Sequence, residues 1–203
     1  MSATKIMVIR HAEKPGTYAG QDYAGVNPAG SSDPSSLVTL GWARAGALTT
    51  LFAPSRGELQ APSLACPGFL FAANPGSSPT HQEDDQPSRR PYETLSVLSR
   101  KLNVSISADH LKTDYKKMVS HALKASGVVL ICWQHEDIPA IGQEILRQTL
   151  TQGIQLPGKW PGARYDLVWV FDRPLGSGPV TAFTQVPQLL LDGDSPAVIP
   201  VDQ

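Results

Sequence analysis

Two short clusters in this sequence combine side chains that could do chemistry together. The first, Arg10-His11-Ala12-Glu13-Lys14, directly follows an apolar run, and the second, Gln134-His135-Glu136-Asp137, directly follows another. Between them in the chain lie two adjacent arginines, Arg89 and Arg90. A neutral imidazole is a good nucleophile near neutral pH, because its unperturbed pKa is about 6.5. Its attack on a phosphoryl group would form a covalent phosphohistidine and divide one hard step into two. Guanidiniums suit the oxygens of that group. Their planar fork donates paired hydrogen bonds, and they stabilise the charge that spreads in the transition state. A second histidine, if protonated, adds another cation and donor, and the leaving alkoxide needs a proton from a carboxylic acid or from water. Two histidines and two arginines fit this scheme without a metal. His135, Glu136 and Asp137 lack the helical i,i+4 spacing of a zinc-protease pair. Cys66 and Cys132 make neither a disulfide framework nor a metal-ligand spacing. No metal and no cofactor is therefore expected.

The elements that must position these clusters alternate along the chain. Residues 5–9, 69–73, 128–133 and 167–171 are apolar runs that predict buried strands. Residues 104–106 predict a short strand, and 180–186 a last one at an edge. Helical spacing covers 37–53, ended by Pro54, and 92–102, with Leu95, Leu98 and Leu102 on one face. It also covers 111–125, ended by Ser126-Gly127, and 138–150, with Asp137 as N-cap and Pro139 in the first turn. Strands alternating with helices imply an α/β fold with a largely parallel sheet and helices on both faces. Ligands of such sheets bind at the carboxyl ends of the strands, where both clusters and the arginines fall.

Glycine and proline number 17 and 18 of 203 residues and are clustered, which reads as long loops on an ordinary domain. One domain over 1–203 is expected, with a loop insert at about 74–88 and a Pro-rich C-terminal tail from about 187. The insert leaves the sheet on the side of the reactive clusters. It is expected to form part of a pocket rim or a lid, where Glu83, Asp84 and Asp85 would repel highly anionic ligands. His81, His110 and His121 are expected on the surface or in loops, Arg44 on a helix surface, and Cys132, Trp133 and Trp169 in the core or a pocket wall.

Composition narrows the partners. With 17 basic and 18 acidic residues the formal net charge is −1, which argues against nucleic acid. An apolar fraction of 41 % excludes a disordered tail. No apolar stretch approaches a membrane span, so no membrane partner is expected. The first ten residues lack a signal-peptide pattern, and the expected location is cytoplasmic.

The chain resembles the histidine phosphatase superfamily, also called phosphoglycerate mutase-like. Arg10-His11-Ala12-Glu13 is similar to its RHG/RHxE signature. Leu37, Gly41, Arg44 and Ala45 follow its L-T-x-x-G-x-x-[RQ]-A helix start, and Arg90 and Thr94 its R-x-x-x-T spacing. The strand before His135 resembles the one that carries the family's second histidine. The likeness covers roughly residues 5–171 in the family's order. It implies a three-layer α/β/α sandwich with a mostly parallel central sheet. It implies His11 as nucleophile, Arg10 and Arg90 as phosphate ligands, and His135 as a phosphate ligand that balances charge. Arg90 is preferred to Arg89 on the Thr94 spacing alone.

Departures from the pattern concern Ala12, where Gly is commoner, and Val38, where Thr is usual, so that Ser36 or Thr39 must cap the helix. Glu136 follows the second histidine where mutase-like members have Gly. In the acid phosphatase and phytase branch an Asp there donates the proton, so the same role is implied for Glu136, with Glu13 and Asp109 as alternatives. Glu13 would otherwise hold Arg10 or Arg90 in place. The activity so implied is metal-independent hydrolysis of a small phosphomonoester through a phosphohistidine. A phosphoglycerate-type mutase and an inactive phosphate-binding module are the competing readings. No second basic cluster suited to a mutase is evident.

Overall fold

The computed structural model describes residues 2–74 and 88–201. Among the described residues, six strands form the main sheet. They are β1 (Ala3–Arg10), β4 (Phe69–Ala73), β5 (Ile106–His110), β6 (Gly127–Trp133), β7 (Leu167–Asp172) and β8 (Ala182–Pro187). Their order across the sheet is β5-β4-β6-β1-β7-β8. The pairs β1·β6, β4·β6 and β4·β5 are parallel, whereas β1·β7 and β7·β8 are antiparallel. Only β7 therefore runs against the rest. The helices are α1 (Thr39–Phe52), α2 (Arg90–Leu102), α3 (Tyr115–Lys124) and α4 (Ile138–Gln148).

Continuous apolar runs make the central strands because both sheet faces are covered. Along β6, Val129, Ile131 and Trp133 face α3 and α4, while Leu130 and Cys132 face α1 and α2. The same alternation sends Ile6 and Val8 of β1 one way and Met7 and Ile9 the other. Each fully buried Leu, Ile or Val side chain contributes about 1.5–3 kcal/mol. The result is the expected α/β/α sandwich. Trp133 and Trp169 are core residues, and burial pushes the Cys132 thiol pKa up.

The local differences have local causes. Residues 16–23, expected as loop, contain a small hairpin of β2 (Gly16–Tyr18) and β3 (Gln21–Tyr23). The strand expected at 104–106 is β5, displaced toward His110 by its pairing with β4. The helix expected at 111–125 is a 3-10 turn, Lys112–Asp114, followed by α3. Neither Ser36 nor Thr39 caps α1, and no side chain caps it at Val38. Instead Glu93 of α2 holds the turn before it, accepting hydrogen bonds from Ser36 Oγ (2.7 Å) and Leu37 N (2.9 Å). Most of the loop insert, with Glu83, Asp84, Asp85 and His81, lies outside the described residues. Residues 188–201 contain no helix or strand but pack back on the domain, with Ile199 buried and its carbonyl accepting a hydrogen bond from Gln185 Nε2 at 2.7 Å. His110, expected at the surface, is buried beside His121, with Nε2 2.9 Å from His121 Nδ1.

Candidate active site

Register fixes the first residues of the site. Arg10 pairs with Trp133 across β1 and β6, and His11 N donates to Trp133 O at 3.0 Å. The two strands thus end together, which brings His11 beside Gln134 and His135. The next peptide is locked from α2: Ala12 N donates to Thr94 Oγ1 at 2.9 Å, and that hydroxyl donates to Arg90 O at 2.7 Å. The Thr94 spacing is therefore a physical link between the His11 turn and the start of α2. Ala12 does not have the left-handed φ that some non-glycine residues adopt among the described residues, so no glycine is required there. Gly41 is required for another reason. A Cβ on it would lie 2.6 Å from Glu13 O, so only glycine lets α1 approach the loop this closely.

The imidazole of His11 is buried, and its Nδ1–H donates to Ala12 O at 2.7 Å. A carbonyl can only accept, so Nδ1 carries the proton and Nε2 the lone pair. Burial, and then the Arg10 charge, hold its pKa well below the usual histidine range.

Arg10 is also buried. Its Nη1 donates to Gly162 O and to Arg164 O (3.1 Å), and its guanidinium lies 3.7 Å from the centroid of the Tyr165 ring. Burial lowers its pKa, yet an arginine stays charged. Its Nε and Nη2 have no partner. Arg90 is held by Nη1 donating to Pro34 O at 3.1 Å, and its Nε likewise has none. Arg89 points elsewhere: it is exposed and 3.6 Å from Asp33.

A cleft of about 380 Å³ is walled by His11, Arg90, His135 and Glu136, together with Lys14 and Lys112. Ser88 and Gln134 also line it, and Ser88 Oγ and Gln134 Oε1 are buried without partners. The His135 ring packs against Gly162, where a Cβ would lie 3.3 Å from Nε2. Its Nδ1 is 3.0 Å from Glu136 Oε2 but out of hydrogen-bond line, and burial followed by the Arg10 charge lowers its pKa. Glu136 is exposed at the rim, its side chain 65 % accessible. Asp137 precedes α4 without a capping hydrogen bond to it from its side chain. Buried polar atoms normally find partners, so this concentration of unpaired ones is a binding-site signature. Among the described residues, no group of three His, Cys, Asp or Glu side chains could hold a metal ion.

Three expectations are corrected. Arg44 is not on a helix surface: it is buried between Glu13 Oε1 (2.7 Å) and Asp194 Oδ1 (2.7 Å). Glu13 accordingly holds Arg44 and hydrogen-bonds to neither Arg10 nor Arg90. Asp109 accepts from Ser107 Oγ at 2.8 Å on an exposed edge and does not line the cleft. The segment 162–165, which supplies two carbonyls and a ring to Arg10, went unnoticed in the sequence. Its only signal was a Gly/Pro cluster before β7.

No family model matches the chain, and no curated protein matches it. Among solved structures it is similar to the crystal structure of "the putative phosphohistidine phosphatase SixA" from Agrobacterium tumefaciens. That likeness has 17 % identity and a TM-score of 0.44, over 89 % of this chain and 97 % of the other. No helix among the described residues is long and apolar enough to cross a membrane.

Proposed function

We propose that this protein hydrolyses a small phosphomonoester through a phosphohistidine on His11, without a metal. The observation that carries this reading is the free Nε2 of a neutral, buried His11 beside guanidinium donors with no partner of their own.

In this reading Arg10 Nε and Nη2 and Arg90 Nε bind the phosphoryl oxygens, and Ser88 Oγ adds a donor. His11 Nε2 forms the N–P bond as the ester P–O bond breaks, and Glu136 or water protonates the leaving alkoxide. Water then attacks phosphorus, the N–P bond breaks back to His11, and orthophosphate leaves. Arrival of a dianion favours a protonated His135, which then offsets its charge.

Turnover of p-nitrophenyl phosphate by the wild-type chain, with and without chelator, tests the reading. Chelator-insensitive hydrolysis that His11→Ala abolishes is expected. An inactive phosphate-binding module would bind orthophosphate and turn over nothing, and a mutase would require an added phosphorylated cofactor.

A further inference from the structure

A second cavity, of about 560 Å³, opens beside the cleft and shares Lys14 with it. Gly162 and Tyr165, which hold Arg10, also line this cavity. Pro15, Tyr18, Leu40 and Leu191 give it apolar walls. Its size falls within the range of small-molecule sites.

Charge sets this cavity apart from the cleft. Glu13, Arg44 and Asp194, all lining it, form one buried cluster of two carboxylates on one guanidinium. Both Asp194 oxygens and Glu13 Oε1 accept hydrogen bonds from Arg44, whereas Glu13 Oε2 is buried and has no partner. The side chain of Glu13 is only 3 % accessible. A buried carboxylate left short of partners is costly, so a cation that reaches it is favoured.

Resting on the phosphatase reading, we infer that this cavity takes the organic part of the substrate and that this part is an apolar chain bearing a protonated amine. The substrate class is then an aminoalkyl phosphomonoester. Its phosphate meets the arginines and its ammonium meets the Glu13 carboxylate.

Phosphonates test this apart from turnover, since their C–P bond is not hydrolysed. Calorimetric titration of the wild-type chain would compare 4-aminobutylphosphonate, pentylphosphonate and 4-carboxybutylphosphonate. The amine should bind at least tenfold tighter than the alkyl compound, and the carboxylate weakest. Glu13→Gln should bring the amine-to-alkyl ratio toward one. Leu40→Lys, at an exposed position on the cavity wall, should lower it in a protein that keeps its core. A wild-type ratio near one, as expected if only water meets Glu13, overturns the inference. So does a preference that survives both substitutions. Failure to turn over p-nitrophenyl phosphate would instead count against the phosphatase reading.

Discussion

Two glycines of α1 make a controlled test of how the fold positions the site. A Cβ at Gly41 would lie 2.6 Å from Glu13 O and 3.0 Å from Glu13 N, both backbone atoms that no rotamer change can move away. Gly46, five residues further along the helix, has nothing within 4 Å of the same imagined atom. Helix propensity favours alanine over glycine by about 0.8–1 kcal/mol at either position. At Gly46 that gain stands alone, so Gly46→Ala should stabilise the protein by up to about 1 kcal/mol. At Gly41 the overpacking cost of about 1–3 kcal/mol opposes it, and the contact is shorter than any ordinary one. Gly41→Ala should therefore be net destabilising by about 1–2 kcal/mol. Relief of the clash requires α1 or the 12–13 backbone to move, and that backbone carries His11. Misplacement of about 1 Å can cost 10²-fold in rate, so kcat for p-nitrophenyl phosphate should fall more than stability explains. Denaturant unfolding and initial rates on the two variants measure both effects. Equal stability and activity in the pair would refute the claim that close approach at Gly41 sets the His11 turn.

Thr94→Val removes the acceptor of the buried Ala12 N–H and should cost about 1–3 kcal/mol; unchanged denaturant stability would contradict the link between α2 and the His11 turn. Glu136→Gln should slow alkyl phosphates by about 10² while p-nitrophenyl phosphate, with its better leaving group, falls much less; equal losses would assign Glu136 a structural role. The pKa values of His11, His110 and His135 are all lowered by burial, so the unfolded chain takes up protons first. Stability from these groups is present above the ordinary histidine pKa of about 6.5 and is lost as pH falls below it. Unfolding free energy measured from pH 8 to 5 should therefore decline below about 6.5, and a flat profile would refute the burial argument.

The sheet was legible because its strands are buried on both faces and read as unbroken apolar runs. The strand ends then indicated where His11, Arg90, His135 and Glu136 would gather, and the structure brings them to one cleft. What stayed hidden has no periodic signal. The hairpin at 16–23 is made of exposed polar residues. Arg44 looks like any helical arginine until the tail returns Asp194 to it, 150 residues later in the chain. Tyr165 lies just before β7 and gains its role only when Arg10 packs over its ring. Cap rules failed at α1: no side chain caps it, and what fixes its start is a tertiary partner, Glu93, which holds the turn before it.

The proposed reaction turns on a covalent bond between phosphorus and His11. Acid–base stability of the trapped protein is its direct readout: the chain is mixed with a monoester carrying labelled phosphorus, quenched during turnover, and the label located by peptide mapping. A base-stable, acid-labile label on the peptide containing His11, lost together with turnover in His11→Ala, is expected. Turnover near the wild-type rate in His11→Ala, or a label on any other residue, would contradict it.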